Sequence, residues 1–342
     1  MLTKSLVWFG LLGAGALFAA PRTLQIYWID AEGGASTLIV APSGQSLLVD
    51  TANHTPDDRD AKRIYATAQK AGLKKIDYLL TTHFHSDHIG GMKALSTMIP
   101  IGLYMDHGET VEINRPRVAQ QYKDYVELTK GKRRILHAGD KIPLKGVDVE
   151  VVVAAGEPIA HPLKGGGVAG TACDTWKDRP TEPDPDNNQS VGILVQYKKF
   201  RFLDMGDYTW NYEKKLVCPE NLIGTIDLFQ TSHHGLERSN SPQFVWSLKP
   251  RVAVMNNGPT KGGPVSVFDI LRKSPGIEDI WQVHLAMRIP KEVNTDEKMI
   301  ANVVPSSECK GNLLTASVEP DGKYTLTNER NGFSKTYTAT SK

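Results

Sequence analysis

The chain has 342 residues, and 40% of them are hydrophobic, which allows either one large α/β domain or two smaller ones. The formal net charge of +2 gives no bulk electrostatic argument for binding nucleic acid or membranes, although a local basic groove stays open. The three cysteines, Cys173, Cys218 and Cys309, are too few and too scattered for a disulfide framework. One bridge with a free thiol and three unpaired thiols are both open alternatives.

The amino-terminal segment has the pattern of a secretory signal peptide over residues 1–20. Lys4 precedes an apolar run over residues 6–20, and small residues lead into Pro21 and Arg22. We predict cleavage near Ala19 or Ala20, which makes the mature protein secreted or periplasmic. Because the run is short for a span of roughly 20 residues, an uncleaved membrane anchor is the alternative.

The mature chain opens with apolar stretches separated by glycine-containing turns, and these predict an antiparallel meander. Helical periodicity and apolar runs then alternate along the rest of the first half. In chain order we predict strands over 24–29, 37–40 and 46–50, a helix over 57–71, a strand over 76–80, a helix over 92–98, a strand over 101–105 and a helix over 115–130.

The second half repeats this mixture around a long polar insertion. Residues 156–187 are rich in Gly, Pro and Asp, so we predict a long loop that either lies across a site entrance or is disordered. We predict strands over 133–136, 147–153, 191–197, 200–203, 226–230, 251–255 and 279–283, helices over 210–217, 242–248 and 265–273, and a terminal β-hairpin over 313–328. This order predicts one α/β domain, residues 21–342, with two packed sheets and helices outside.

The motif His83-x-His85-x-Asp87-His88 directly follows the predicted strand over 76–80. Because side chains alternate along a strand, His83 and His85 would point the same way, while Asp87 and His88 in the turn would reach a second point. Imidazole and carboxylate groups at this spacing predict two adjacent metal ions. Zinc suits this donor set best, with manganese or iron as alternatives.

Further polar residues follow other predicted strands. Asp50 ends the third strand, Gly206-Asp207 ends the strand over 200–203, and His233-His234-Gly235 follows the strand over 226–230. Asp50 is either a turn cap or a residue that supports the metal loop from behind. His107 would lie near the site mouth or simply face solvent.

Together, these residues make the chain similar to the metallo-β-lactamase superfamily, because Asp50, the His83–His88 motif with Gly90-Gly91, Asp207 and His233-His234 come in the family order. Within it, the chain most resembles the soluble hydrolase-like domain of competence-type DNA uptake channels and their secreted relatives. Further carriers of this resemblance are the stretches 28–35 and 187–191. The channel's membrane helices are absent from the sequence, so no channel role is implied.

The resemblance implies an αββα sandwich with a dinuclear site at one edge. His83 and His85 would bind the first metal. Asp87, His88 and one of His233 or His234, with a preference for His233, would bind the second. Asp207 would bridge the two ions and, with Asp87, contribute to catalysis.

One departure from the family concerns the third ligand of the first metal. Many members supply a histidine just before the Gly-Asp strand, whereas the only upstream histidine here is His161 on the predicted loop. The positions that match are Asp186, Asn187 and Asn188, and an oxygen of one of them or water would fill the place. One versus two metals therefore stays open.

The implied activity is that of a secreted zinc-dependent hydrolase using a metal-bound hydroxide, first of all on phosphodiester substrates, nucleic acid included. Lys261 and Arg238 near the last motif would either hold phosphate groups or remain solvated. The second enzymatic hypothesis is a lactone or β-lactam hydrolase. A secreted binding protein with a degenerate metal site is the alternative of another class.

Overall fold

The structure of the protein is a computed structural model that describes residues 23–340. The predicted signal peptide, residues 1–20, lies outside the described residues. Across residues 23–340, no helix combines the length and the apolar character needed to cross a membrane.

Twenty strands and seven α-helices make up the regular structure of this described range. The strands are β1 (Leu24–Trp28), β2 (Thr37–Val40), β3 (Ser46–Val49), β4 (Ile76–Leu80), β5 (Ile101–Asp106), β6 (Arg133–Ile135), β7 (Lys141–Ile142), β8 (Asp148–Ala154), β9 (Glu157–Pro158), β10 (Val168–Ala169), β11 (Gly192–Tyr197), β12 (Phe200–Asp204), β13 (Glu220–Asn221), β14 (Leu228–Gln230), β15 (Val252–Met255), β16 (Asp279–His284), β17 (Ile300–Asn302), β18 (Leu314–Val318), β19 (Lys323–Asn328) and β20 (Ser334–Thr338). The helices are α1 (Arg59–Lys70), α2 (Ser86–Ile89), α3 (Met92–Met98), α4 (Pro116–Thr129), α5 (Trp210–Val217), α6 (Pro242–Leu248) and α7 (Val265–Arg272).

Two large sheets organise the molecule. The first has the order β20-β19-β18-β1-β2-β3-β4-β5-β6, and the second has the order β17-β16-β15-β14-β12-β11-β8-β7, with β9 paired to β8. The predicted meander is present, because β1, β2 and β3 pair antiparallel in register. The terminal hairpin β18–β19 continues the first sheet by pairing with β1.

The sheets face each other across a continuous apolar core. Trp28 and Val49 of the first sheet are fully or almost fully buried with Val151 and Phe202 of the second. The rings of Trp28 and Phe202 meet edge to face at 5.8 Å between centroids, a favoured aromatic arrangement. Burial of apolar surface on both inner faces, worth roughly 25 cal/mol per Å², stabilises this pairing.

Helices cover the outer faces of both sheets. The apolar sides of α1, α3 and α4 pack on the first sheet through Ile64, Leu95 and Tyr125. In the same way, α6 and α7 cover the second sheet through Phe244 and Phe268. The predicted αββα sandwich is therefore confirmed.

Strand β20 was not predicted. Its sequence, Ser-Lys-Thr-Tyr-Thr, places only Tyr337 in the core and leaves the other positions exposed or half-buried. An edge strand of this kind has no hydrophobic alternation to detect, and it forms because β19 offers a free edge.

Strand direction explains where the site lies. In the first sheet β3 and β4 run parallel, and in the second sheet β12 and β14 run parallel. Parallel neighbours end at the same edge of a sheet. The segments that follow these four strands, which contain Asp50, His83–His88, Asp207 and His233-His234, therefore meet at one edge of the sandwich.

Candidate metal centre

The histidine loop after β4 is fastened to the segment that follows β3. The Thr51 amide donates to the His88 carbonyl at 2.7 Å. A Cβ atom on Gly90 would lie 2.1 Å from the His54 backbone nitrogen, and one on Gly91 would lie 2.3 Å from the Thr51 carbonyl oxygen. Only glycine permits this backbone approach, so the Gly-Gly pair is required for the two segments to dock.

Asp50 contacts the His88 ring on the side away from Asp87 and Asp207, in line with one of the two interpretations of Asp50 given by the sequence. Its Oδ2 lies 2.7 Å from Nδ1 of His88. The Thr82 amide and hydroxyl each donate to the Asp50 carboxylate at 2.8 Å and hold it in place. This arrangement makes Nδ1 of His88 the protonated nitrogen and turns Nε2 towards Asp87 and Asp207, as in carboxylate–histidine–metal arrangements.

Four donor atoms from both sheets converge beside His88. Oδ2 of Asp87 lies 3.5 Å from Nε2 of His88 and 3.3 Å from Nε2 of His234. Oδ2 of Asp207 lies 3.3 Å from His88 Nε2 and 3.5 Å from His234 Nε2. Ligands about 2.0–2.1 Å from a tetrahedral zinc ion lie about 3.4 Å apart, so these four separations match the edges of a zinc tetrahedron.

The burial of these groups also fits a metal ion. His88 and His234 are fully buried, and Nε2 of each has no hydrogen-bond partner among the described residues. A buried polar nitrogen left without a partner costs about 1–3 kcal/mol, which a bound cation would offset. The donor set Asp87, His88, Asp207 and His234 is therefore complete for one divalent ion.

His233 and His234 differ in their placement, and this corrects the preference for His233. Both have left-handed backbone conformations, with φ of 55° and 56°. Such conformations cost of order 1–3 kcal/mol for a residue with a side chain and concentrate at functional sites. The resulting turn places His234 in the four-atom cluster, while His233 Nε2 approaches Asp207 Oδ2 at 3.4 Å from the cavity side.

The charges within this cluster depend strongly on one another. Burial opposes ionisation of Asp207, but the imidazoles of His88, His233 and His234 hold its pKa well below the ordinary value. Burial also opposes charging of His88, yet the carboxylates of Asp207, Asp50 and Asp87 raise its pKa well above the ordinary value. The metal-free centre therefore carries a proton that a divalent cation would displace on binding.

His83 and His85 form a second, smaller pair of donors. Nε2 of His83 lies 2.9 Å from Nδ1 of His85, so both nitrogens face one point. Nδ1 of His83 lies 3.1 Å from the Thr82 hydroxyl and is thereby occupied. The site thus has two halves, the four-donor cluster of Asp87, His88, Asp207 and His234 and the pair His83 and His85. Asp207 lies closest to bridging them, because its Oδ2 lies 4.0 Å from His83 Nε2.

Glu112 is a residue of the site that the sequence analysis missed. Its side chain is 1% exposed, and Oε1 lies 3.4 Å from the outer nitrogen of His85, Nε2. It would orient His85 as Asp50 orients His88. No spacing signal marks Glu112, but it lies in the loop after β5, which runs parallel to β4 and ends at the same sheet edge.

The three residues predicted as possible third ligands of the first metal make different contacts. The Asp186 carboxylate accepts hydrogen bonds from the Phe84 amide at 2.8 Å and the Thr110 hydroxyl at 2.9 Å, so it braces the histidine loop instead of facing a metal. Asn188 accepts a hydrogen bond from Thr209. Asn187 lines the cavity, and its buried Oδ1 has no partner among the described residues.

His107 does not lie at the site mouth. It is 5% exposed, and Nε2 lies 3.5 Å from Oδ2 of Asp186. Although burial opposes ionisation of Asp186, the adjacent His107 imidazole and the hydrogen bonds from Phe84 and Thr110 lower the pKa of that carboxyl. His107 therefore belongs to the support of the histidine loop.

A cavity of about 580 Å³ opens onto the centre. Lys261 forms an ion pair with Asp87 at the cavity wall. Cationic and anionic side chains are almost balanced around the cavity before any metal binds. The cationic ones are Arg115, Arg117, Arg238 and Lys261, and the anionic ones are Asp87, Glu112, Asp184, Asp207 and Glu237.

The long polar segment over residues 156–187 forms part of the cavity rim. Asp184 lies 3.1 Å from Arg115 and 3.3 Å from Arg238, so it links two sides of the rim. Its middle is attached to the second sheet's helices by a disulfide between Cys173 and Cys218. Cys309 is the remaining, free cysteine.

Comparisons with known proteins agree with this geometry. Residues 29–171 match the sequence model of the Metallo-beta-lactamase superfamily. ComE operon protein 3 of Bacillus subtilis (strain 168) is 22% identical over 253 residues, which is 68% of this chain and 28% of that protein. Recombination protein 2 of Haemophilus influenzae is 24% identical over 255 residues, or 73% of this chain and 27% of that protein.

A third relative is similar over a shorter stretch. A UPF0173 metal-dependent hydrolase of Cupriavidus metallidurans is 34% identical over 82 residues, 23% of this chain and 24% of that protein. The chain thus spans less than a third of the length of each of these relatives. The family match over residues 29–171 and the sandwich with its ligand-bearing edge show that the chain has the metallo-beta-lactamase fold.

Proposed function

We propose that the protein is a metal-dependent hydrolase that acts on phosphodiester substrates. The observation that carries this proposal is the set of four separations of 3.3–3.5 Å among Asp87, His88, Asp207 and His234, which fits one tetrahedral divalent ion. Similarity to a protein described as a metal-dependent hydrolase supports the same class.

Zinc suits these donors best, and manganese or iron are the alternatives. When bound, such an ion would lower the pKa of water to about 7 and polarise the bond under attack. The chain's own residues supply the rest. Asp50 orients His88, and Glu112 orients His85. Asp207 places a carboxylate between the four-donor cluster and the His83–His85 pair.

Two features support an anionic substrate. Four cationic side chains, including Lys261 and Arg238, line the cavity, and two divalent ions would make its net charge positive. A positive, partly enclosed cavity attracts and orients a phosphodiester. However, Arg238 and Arg115 already pair with carboxylates of the rim, and Lys261 pairs with Asp87. Arg117, which lines the cavity and forms no ion pair with the described residues, is therefore the strongest candidate for contact with phosphate.

The proposal is tested by metal analysis and a set of parallel assays. Purified protein is stripped of metal and refilled with zinc or manganese. Turnover is then measured on bis-p-nitrophenyl phosphate, single-stranded DNA, nitrocefin and a lactone. We expect at least one metal per chain and metal-dependent phosphodiester cleavage. His234→Ala, compared with His161→Ala on the exposed segment, should lose this activity.

The alternatives give different results in the same assays. Nitrocefin or lactone turnover without phosphodiester cleavage would replace the substrate class with a lactam or lactone. Well under one metal per chain after refilling, with no turnover, would favour a secreted binding protein with a degenerate site.

We also propose that residues 21–342 form one secreted or periplasmic domain released from a signal peptide. The Cys173–Cys218 disulfide supports this, because such bonds persist in oxidising compartments. Amino-terminal sequencing of the exported protein tests the proposal. A mature chain that starts near Pro21 is expected, and an intact Met1 on membrane-bound protein would favour the uncleaved anchor.

A further inference from the structure

A second group of metal-ligating side chains lies apart from the centre described above. Asp30 follows β1, His284 ends β16, and Cys309 lies in the segment before β18. One donor atom from each of the three lies within 4.8 Å of the other two. None of the three lines the cavity that opens onto Asp87 and Asp207.

The donor atoms have few competing partners. The Cys309 thiol donates to Oδ2 of Asp30 at 2.9 Å. His284 is fully buried, and its Nδ1 lies 3.2 Å from the Leu285 carbonyl oxygen, which makes Nδ1 the protonated nitrogen. Nε2 therefore keeps a free lone pair, and it has no hydrogen-bond partner among the described residues. Buried nitrogens in this state are rare and call for a ligand.

The surrounding residues hold the three donors in place. Arg63 donates to the carbonyl oxygens of Asp30 at 2.9 Å and of Cys309 at 3.0 Å, so it joins the two segments. Its guanidinium lies 3.3 Å from Oδ2 of Asp30, but Glu32, at 3.2 Å, offsets that positive charge. The Glu32 amide also donates to Oδ1 of Asp30 at 3.0 Å, while Oδ2 accepts from the thiol at 2.9 Å and from Arg63 at 3.3 Å.

We propose that Asp30, His284 and Cys309 form a separate site for one zinc-class ion. Thiolate, imidazole and carboxylate together favour zinc or cobalt over magnesium, calcium or manganese. Binding replaces the thiol proton, which passes to solvent, with a metal–sulfur bond. Cys309 is half-buried, so an exogenous water or ligand has access to the fourth position.

The thiol–carboxylate edge of the site requires only a small adjustment. In a tetrahedral zinc site with Zn–S of about 2.3 Å and Zn–O of about 2.0–2.2 Å, sulfur and oxygen lie about 3.5 Å apart. The thiol and carboxylate, now 2.9 Å apart, would separate by about 0.6 Å when the metal takes the place of the proton. Because β1 belongs to one sheet and β16 to the other, the ion would clamp the two sheets together.

Cobalt substitution tests this site without reference to activity. Co²⁺ bound by a thiolate gives a charge-transfer absorption band in the near ultraviolet. Only Cys309 can produce this band, because the other two cysteines form a disulfide and the hydrolase centre contains no thiolate. We expect the band to reach its maximum at one thiolate-bound cobalt per chain and to persist in Asp207→Ala, whose hydrolase centre is impaired.

Variants make the assignment specific. Cys309→Ser, which keeps a donor to Asp30, should abolish the band. His284→Gln should weaken cobalt binding at this site at least about tenfold. His161→Gln, on the exposed segment, should leave both band and affinity unchanged.

A wild-type protein with one titratable thiol and no band in excess cobalt would overturn the proposal. A band that survives in Cys309→Ser would do the same. Loss of phosphodiester activity with the band intact would count against the hydrolase centre alone, so the two proposals fail separately.

Discussion

The two halves of the metal centre are built differently. The half formed by Asp87, His88, Asp207 and His234 draws two residues from each sheet, and its donor separations of 3.3–3.5 Å already fit a zinc ion. The half formed by His83 and His85 comes from one loop, and its nitrogens lie 2.9 Å apart, closer than two ligands of one tetrahedral ion. Donors fixed by two separate frameworks are pre-organised, whereas two donors on one loop must adjust when a metal binds.

Removal of the shared carboxylate gives the largest expected effect. Asp207→Ala takes a donor from the complete half and the nearest bridging oxygen from the other. We expect metal content and phosphodiester turnover to fall together, the turnover by about 10³-fold or more, because several kcal/mol of charge stabilisation is lost. Metal analysis and initial rates check this. Wild-type turnover in Asp207→Ala would show that Asp207 does not bridge the two halves.

The adjacent histidines provide a sharper comparison. His234→Ala should lower metal content by about one ion per chain, because the complete half loses one of its four donors. His233→Ala should keep that ion and mainly reduce turnover, since His233 approaches Asp207 from the cavity side. Equilibrium dialysis with zinc measures both. The reverse order of effects would restore the original preference for His233 as ligand.

Glu112 tests the weaker half by itself. Glu112→Gln removes the carboxylate behind His85 and should weaken one of two metal-binding steps by about 10–100-fold, leaving the other unchanged. Glu109→Gln, an exposed residue of the same loop, is the matched control. Calorimetric titration of the metal-free protein resolves the two steps. Equal weakening of both would mean that the halves do not bind separately.

The smallest expected effect is on stability and concerns Glu213, which supports the turn that carries His234. Glu213 is fully buried and accepts hydrogen bonds from the amides of Asn240 and Ser241, next to the His233-His234 turn. Burial raises its pKa from about 4.5 to about 7. The folded protein therefore holds a proton that the unfolded chain has lost over this range, so stability falls as pH rises from about 4.5 to about 7.

Glu213→Gln should remove this contribution, at most about 3 kcal/mol, from the pH dependence of the free energy of unfolding. Urea unfolding of metal-free protein at pH 5 and at pH 7.5 measures it, with the exposed Glu220→Gln as control. The pH dependence of wild type, retained in Glu213→Gln, would show that the Glu213 carboxyl is ionised throughout.

Sequence reasoning reaches furthest where local spacing determines the geometry. The His83–His88 motif needs only strand alternation and a turn, and Asp207 needs only its place at a strand end. It failed where distant segments decide. Glu112 is defined by the parallel pairing of β4 and β5, and the choice between His233 and His234 depends on a left-handed turn that composition does not reveal.

The tight seating of Gly90 and Gly91 has a consequence for transplanting this chemistry. The histidine loop does not fold onto its own strand but onto the backbone of Thr51 and His54, at distances that leave no room for a Cβ atom. The histidine loop therefore depends on the segment after β3 for its conformation. Copying the loop alone onto another scaffold would transfer the ligands without the backbone that positions them. A portable version of the site would need to include β3, β4 and both of the segments that follow them.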